Sequence, residues 1–263
     1  MPLLDLWGKS RTDLEGKQVQ QIIAIAGSGK LLDGGDASKE FRDFLSHVPS
    51  TLLARYAEEC LNEKFESGGL ALQDVVNQVG RRLGFQVEDG RYRGSSGQIG
   101  HDGLWKSSLG GEIIVEVKTT DAYRVALDAI AEYRKKLIQE AKVVEAKSSI
   151  LIVVGRQDTG DLEAQIRGSR HAWDIRLVSV DSLIRLMLLK ETVEDPQMLK
   201  KIAGVLVPQE FTRVDGIIDL VFSATEEVRQ DVEEPEVQEE LSRRKDKKVP
   251  QFVPVDFHAV CIR

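Results

Sequence analysis

Gln98-Ile99-Gly100-His101-Asp102-Gly103-Leu104-Trp105, then Lys106-Ser107-Ser108-Leu109-Gly110-Gly111, then Glu112-Ile113-Ile114-Val115-Glu116-Val117-Lys118, is the stretch whose reading decides the fold. Its middle is rich in glycine and serine, and the segments on either side are apolar, the second of them β-branched. That pattern predicts two antiparallel strands joined by a hairpin. The side-chain period of two sets Ile114, Glu116 and Lys118 on one face of the second strand. Ile113, Val115 and Val117 fall on the other, which is expected to be the buried one. A carboxylate and an ammonium emerge side by side. If the hairpin register brings Asp102 opposite them, two carboxylates and one lysine share a small patch.

Such a patch suits phosphodiester hydrolysis. An anionic, water-derived nucleophile must reach an anionic phosphate, and a divalent cation both neutralises charge and lowers the pKa of bound water. Magnesium takes a few hard oxygen ligands and keeps several waters, and manganese can stand in for it. Asp102, Glu116 and the backbone carbonyl of Val117 are the expected ligands. Lys118 beside them can orient or help deprotonate the attacking water and stabilise the phosphorus centre. The competing reading is a hairpin with an ordinary surface Glu/Lys pair. The Gly-flanked Asp upstream of an apolar strand that ends in charge favours the catalytic one.

Asp102 followed by the Glu116-Val117-Lys118 triplet resembles the PD-(D/E)xK nuclease superfamily, the restriction-endonuclease-like fold, with His101 where the family name has proline. Upstream, Leu72 to Val87 resembles the opening helix and first strand of methylation-dependent restriction endonucleases. Leu72, Val75, Val76, Val79 and Leu83 give it an apolar stripe, and Gly84 is a stop. Many relatives carry a glutamate near the start of this helix that contributes to the metal site. Gln73 stands at that position here, with Asp74 next to it, and is an additional candidate site residue. Downstream, Asp121 to Lys142 reads as an amphipathic helix with Val125, Leu127, Ile130, Tyr133, Leu137 and Ile138 inward. Ser148 to Gly155 reads as a strand buried on both faces. A helix over Leu162 to Trp173, a strand over Ile175 to Val180 and an apolar Leu183 to Leu189 follow. The α-β-β-β-α-β-α-β order predicts an α/β fold, a restriction-endonuclease-like core with a mixed central sheet flanked by helices.

The resemblance covers roughly residues 69–190, the expected nuclease core. It implies a magnesium-dependent endonuclease acting on DNA, with DNA preferred to RNA by family habit, in a bacterial or archaeal host and a restriction or defence role. The rival reading is a catalytically silent nuclease-fold module that binds nucleic acid or docks a partner. Residues 1–68 read as a helical accessory region, with helices over Ser38 to Leu45 and Thr51 to Leu61, for substrate choice, dimerisation or partner docking. A helical extension is expected over 191–228, with Pro208 to Val228 led in by Thr212. Residues 229–263 read as a charged linker and tail. Their closing stretch from Val249 looks like ordered chain that stops, so a further C-terminal domain is expected to follow.

A chain of 263 residues that is 41% hydrophobic supports one good core with additions. Its net charge of −7 excludes coating nucleic acid by bulk electrostatics. Local cations must supply the grip, and the candidates are Arg91, Arg93, Arg124, Arg156, Arg167 and Arg170. Tyr92, His171 and Trp173 lie beside them, and Tyr123 with Arg124 is expected to position Lys118 or to touch the scissile phosphate. Cys60 and Cys261 are too far apart in sequence for a disulfide framework or zinc spacing, which fits a reducing cytoplasm. The start of the chain is too short and acidic for a signal peptide, and no apolar run reaches spanning length.

Three other signals do not carry function. Ala26-Gly27-Ser28-Gly29-Lys30-Leu31 lacks the first glycine and the final hydroxyl of a phosphate loop, and reads as a turn after a helix. Asp158-Thr159-Gly160 has no second copy to form a protease dyad, so Asp158 or Thr159 is expected to cap a helix. The four histidines show no metal-ligand spacing, and His101 points to the opposite face from Asp102, which gives it a packing or supporting role.

Overall fold

The structure, a computed structural model, describes residues 2–92, 100–108, 110–119, 124–155, 159–192 and 197–206. These lie in a compact unit spanning Met1–Leu220. Five helices come first: α1 (Pro2–Lys9), α2 (Arg11–Glu15), α3 (Val19–Ile25), α4 (Asp36–His47) and α5 (Ser50–Asn62). There follow α6 (Gly68–Arg82), β1 (Gln86–Asp89), β2 (Gly103–Lys106), β3 (Glu112–Lys118), α7 (Leu127–Gln139), β4 (Ser148–Val154), α8 (Gly160–Arg167), β5 (Ile175–Ser179), α9 (Val180–Thr192) and α10 (Met198–Leu206). The expected α-β-β-β-α-β-α-β order runs from α6 to β5.

The sheet has the order β1-β2-β3-β4-β5. Its first half is antiparallel, with Gly103 opposite Val115 and Lys106 opposite Glu112. Its second half is parallel, with Glu116 beside Ile152 and Ile150 beside Ile175. The fold is therefore α/β, a mixed sheet flanked by helices. The hairpin arises as read, because the strands pair on both sides of the Gly/Ser turn.

Two apolar layers sandwich the sheet. Ile113, Val115, Leu151 and Val153 face a large cluster that includes Val76 and Val79 of α6, Phe44 of α4, Tyr56 of α5 and Met187 of α9. Ile114, Ile150, Ile152 and Val154 face a smaller one with Ile130 and Leu137 of α7 and Leu162 of α8. One strand expectation needs correction. The face of β3 carrying Glu116 and Lys118 is not simply the exposed one, since Ile114 on it is fully buried. The parallel crossovers α7 and α8 cover it, as both faces of a parallel sheet must be covered.

Element boundaries differ where capping or a turn overrides periodicity. The crossover helix α7 runs over Leu127–Gln139, starting later than expected because residues 124–126 are not helical, and it ends before Ala141, whose φ is 54°. The helix expected to reach Trp173 stops at Arg167, before Gly168, and Trp173 is exposed. Thr159 sits at the N-cap position of α8, but its hydroxyl donates to the Glu163 carboxylate rather than receiving a backbone N–H. Ser38 is not a cap. It lies inside α4, with its hydroxyl donated to the Leu32 carbonyl. Gly27 and Gly29, at φ of 43° and 72°, form the turn after α3, a conformation glycine adopts at little cost.

The early helices are continuous with the sheet's larger core. Arg82, at the end of α6, donates to the Leu45 and Val48 carbonyls and to the Ser50 hydroxyl, tying the α4–α5 corner to α6. No helix among the described residues is long and apolar enough to cross a membrane. The expected helix over Pro208 to Val228 and the charged tail lie outside the described residues.

Candidate active site

Asp102 lies one residue before β2, at the open end of the antiparallel half. Its N–H donates to the Val115 carbonyl at 3.0 Å. Its carboxylate Oδ2 accepts the Val117 N–H at 2.6 Å, so a side chain takes over where the β2–β3 ladder ends. The Lys118 carbonyl accepts the Gly155 N–H at 2.9 Å and thus points toward β4. Successive strand residues turn their backbone groups to alternate edges. Val117 accordingly presents its carbonyl, like its N–H, on the Asp102 side.

Glu116 is buried, with a relative exposure of 7%. Lys118 donates to its Oε1, and the lysine side chain keeps about a third of its surface in solvent. Oε2 of Glu116 is buried without a hydrogen-bond partner among the described residues. Desolvation, and then the Glu116 charge, push the Asp102 carboxyl well above the usual carboxylate range, against the pull of the Val117 N–H and Lys118. Burial alone would lower Lys118, but Glu116 and Asp102 outweigh it and hold the amine protonated, above its ordinary value. Two carboxylates and an ammonium thus converge where the sequence places them. The lysine is a cation here and not a resting base.

A divalent cation fits this donor set. The oxygens are hard, two carboxylates repel each other in a poorly solvated place, and one carboxylate oxygen is orphaned, a cost that buried polar groups normally avoid. Among the described residues there is no cluster of three or more His, Cys, Asp or Glu that could hold a metal. Among the described residues the Val117 backbone carbonyl is a further oxygen on the Asp102 side of the strand.

Gln73 is on α6 and buried, next to this patch. Its Nε2 donates to the main-chain carbonyl of Asp102 at 3.0 Å. Asp74 beside it is fully buried and turned the other way, accepting from Arg42 Nε at 2.8 Å and from the Tyr92 hydroxyl. Burial pushes its carboxyl up to about 7 although Arg42 and Tyr92 pull it down. His101 is half-buried, and desolvation lowers its pKa, which favours the neutral ring and fits a packing role.

The expected nucleic-acid contacts fare unevenly. Arg91 and Arg124 are exposed, while Arg93, Tyr123 and Arg156 lie outside the described residues. Arg167 is 3.8 Å from Glu163. Arg170 and His171 both turn to Asp128, at 2.8 and 2.9 Å, beside an open groove of about 690 Å³ that Val125 and Gln165 also line. Tyr92 belongs to the fold rather than to a basic surface cluster. Its ring lies under the Arg42 guanidinium at 4.9 Å, and its N–H donates to Asp33.

Sequence reasoning missed Asn77 and Arg42. Asn77 was legible only as a polar residue one turn beyond Gln73, and Arg42 lies 32 positions from its partner Asp74.

No family model and no curated protein matches the chain. Among solved structures it is similar to one titled as a complex of the restriction endonuclease PspGI with substrate DNA, at 15% identity over 86% of this chain and 94% of that one. The TM-score is 0.29, below the level at which a shared fold follows.

Proposed function

We propose that this protein is a magnesium-dependent endonuclease of the PD-(D/E)xK type that hydrolyses phosphodiester bonds in DNA, in restriction or defence against foreign DNA. The observation that carries the reading is the buried Glu116 Oε2, without a hydrogen-bond partner among the described residues, beside a carboxyl whose pKa is raised and an ammonium that is held charged. Such a patch lowers stability unless a cation completes it. Asp102, Glu116 and the Val117 carbonyl would hold magnesium, or manganese in its place. The bound ion would acidify a water and offset phosphate charge.

The chain's own groups do the rest. The Val117 N–H holds the Asp102 carboxylate at the end of the ladder. Lys118, kept protonated, donates hydrogen bonds to the phosphate oxygens or the attacking water, where negative charge grows. The low water content around Glu116 strengthens each of these interactions. Exposed Arg91 and Arg124 are, among the described residues, candidates for gripping the nucleic-acid backbone, which sets position and not sequence preference.

Supercoiled plasmid incubated with the protein and magnesium or manganese tests the reading. Nicking or linearisation is expected, with a rate loss on the order of a thousandfold in Lys118→Ala, the scale of removing one preorganised donor from a transition state. A labelled RNA duplex run in parallel should remain intact. Retention of plasmid in a gel shift with no metal-dependent cutting would support the silent binding module instead.

A further inference from the structure

The carbonyl oxygen of Asp102 receives three N–H donors. Gln73 Nε2 lies at 3.0 Å, Asn77 Nδ2 at 2.9 Å and the Gly90 N–H at 3.0 Å. One donor satisfies a strand carbonyl, and this oxygen has only two lone pairs. Two of the three are side chains from α6, buried to 3% and 0% relative exposure, so the helix spends interior polar groups on one peptide.

The amide of Asn77 has no freedom to turn away. Its Oδ1 accepts the indole N–H of Trp105 at 2.9 Å, which directs its NH₂ at Asp102. Glycines open the approach. A Cβ on Gly103 would lie 2.2 Å from Asn77 Oδ1, and one on Gly90 would lie 2.0 Å from the His101 carbonyl oxygen. A Cβ on Gly80 would lie 2.5 Å from the Trp105 ring, so α6 rides directly on β2. Gly103, which flanks the candidate site in sequence, thus makes room for the helix that grips it.

We propose that Gln73 and Asn77 are positioning residues, which lock the Asp102–Gly103 peptide so that the Asp102 carboxylate meets the Val117 N–H and Glu116; this rests on the metal-nuclease reading above. The physical need is clear from the chain. Asp102 sits between Gly100 and Gly103, where the backbone has few restraints of its own, and a carboxylate can be no better placed than its Cα. Preorganised groups lose much of their effect when misplaced by about an ångström. Gln73 therefore acts through its N–H on a neighbouring peptide, and not as the oxygen ligand that a glutamate there would be.

Mn²⁺ titration followed by the loss of its free-ion EPR signal, together with cleavage kinetics, tests this. The unsubstituted protein should take up Mn²⁺ in a manner lost in Asp102→Asn. Gln73→Met and Asn77→Ala should bind it about ten- to a hundredfold more weakly, the scale for residues that orient metal ligands. Their kcat should fall with KM for DNA unchanged, each variant being assayed well below its own melting temperature.

Gln73→Glu discriminates by sign. It removes the donor and sets a carboxylate against the carbonyl, so binding should weaken, whereas a ligand position would tighten it. Tighter binding in Gln73→Glu, or unchanged binding and kcat in Gln73→Met, overturns the proposal alone. Mn²⁺ uptake no better in the unsubstituted protein than in Asp102→Asn overturns the nuclease reading, and the proposal with it.

Discussion

Asp74 and the Asp102–Glu116 pair are both buried acid sites attached to α6 and the hairpin, yet they are finished differently. Asp74 has both oxygens partnered, by Arg42 and by Tyr92, and Arg42 also reaches toward Asp89 at 3.8 Å. The other site leaves Glu116 Oε2 without a partner among the described residues and two carboxyls close enough to raise one of them. A buried acid whose partners lie within the fold joins pieces of the chain together. One left incomplete, next to a second carboxyl and an ammonium, is a candidate for completion by something outside the chain.

The largest effect that would break this contrast is on the finished side. Arg42→Leu strands the Asp74 carboxylate, and unfolding in urea should show a loss of about 3–5 kcal/mol at pH 8, the scale for breaking a buried pair. The loss should shrink at pH 5, where the carboxyl takes up a proton. If Arg42→Leu is neutral at pH 8, Asp74 is not held as described.

The pH dependence sharpens the same point. The folded protein holds the Asp74 proton up to about 7, against an ordinary value of 3.8. Between those values the native state binds more protons than the unfolded one, so stability from this group is full below the lower value and is lost as pH rises through the upper. In Asp74→Asn that part of the slope should vanish, read from melting temperatures at pH 4.5 to 8. An unchanged slope would mean that some other group titrates there.

A smaller effect of opposite sign is expected on the incomplete side. Glu116→Gln removes a charge beside Asp102 and should raise the stability of the metal-free protein by about 0.5–2 kcal/mol, the range gained when a functional group is traded for stability. Destabilisation would show that the Lys118–Glu116 pair serves the fold.

Much of this was open to inspection in the sequence because it depends on local rules. The hairpin follows from a Gly/Ser turn between apolar runs, β4 from an unbroken apolar run, and the convergence of Glu116 with Lys118 from the period of a strand. Both faces of β3 being covered was not legible. Alternation tells which residues share a face, and only the packing of α7 says that the face with Glu116 is buried too. The pattern of α6 likewise located an apolar stripe, but Gln73, Asp74 and Asn77 are as buried as the stripe.

The amino-acid sequence alone determined the order of helices and strands and the placing of Glu116 and Lys118 on one face of a strand, since these depend on periodicities and turns within a few residues. Tertiary structure decided what each buried polar group touches. Asn77 reaches Asp102 across 25 positions and Arg42 reaches Asp74 across 32. A polar side chain in an interior must find a partner, but which one it finds depends on how helices and sheet are brought together, and no local pattern encodes that.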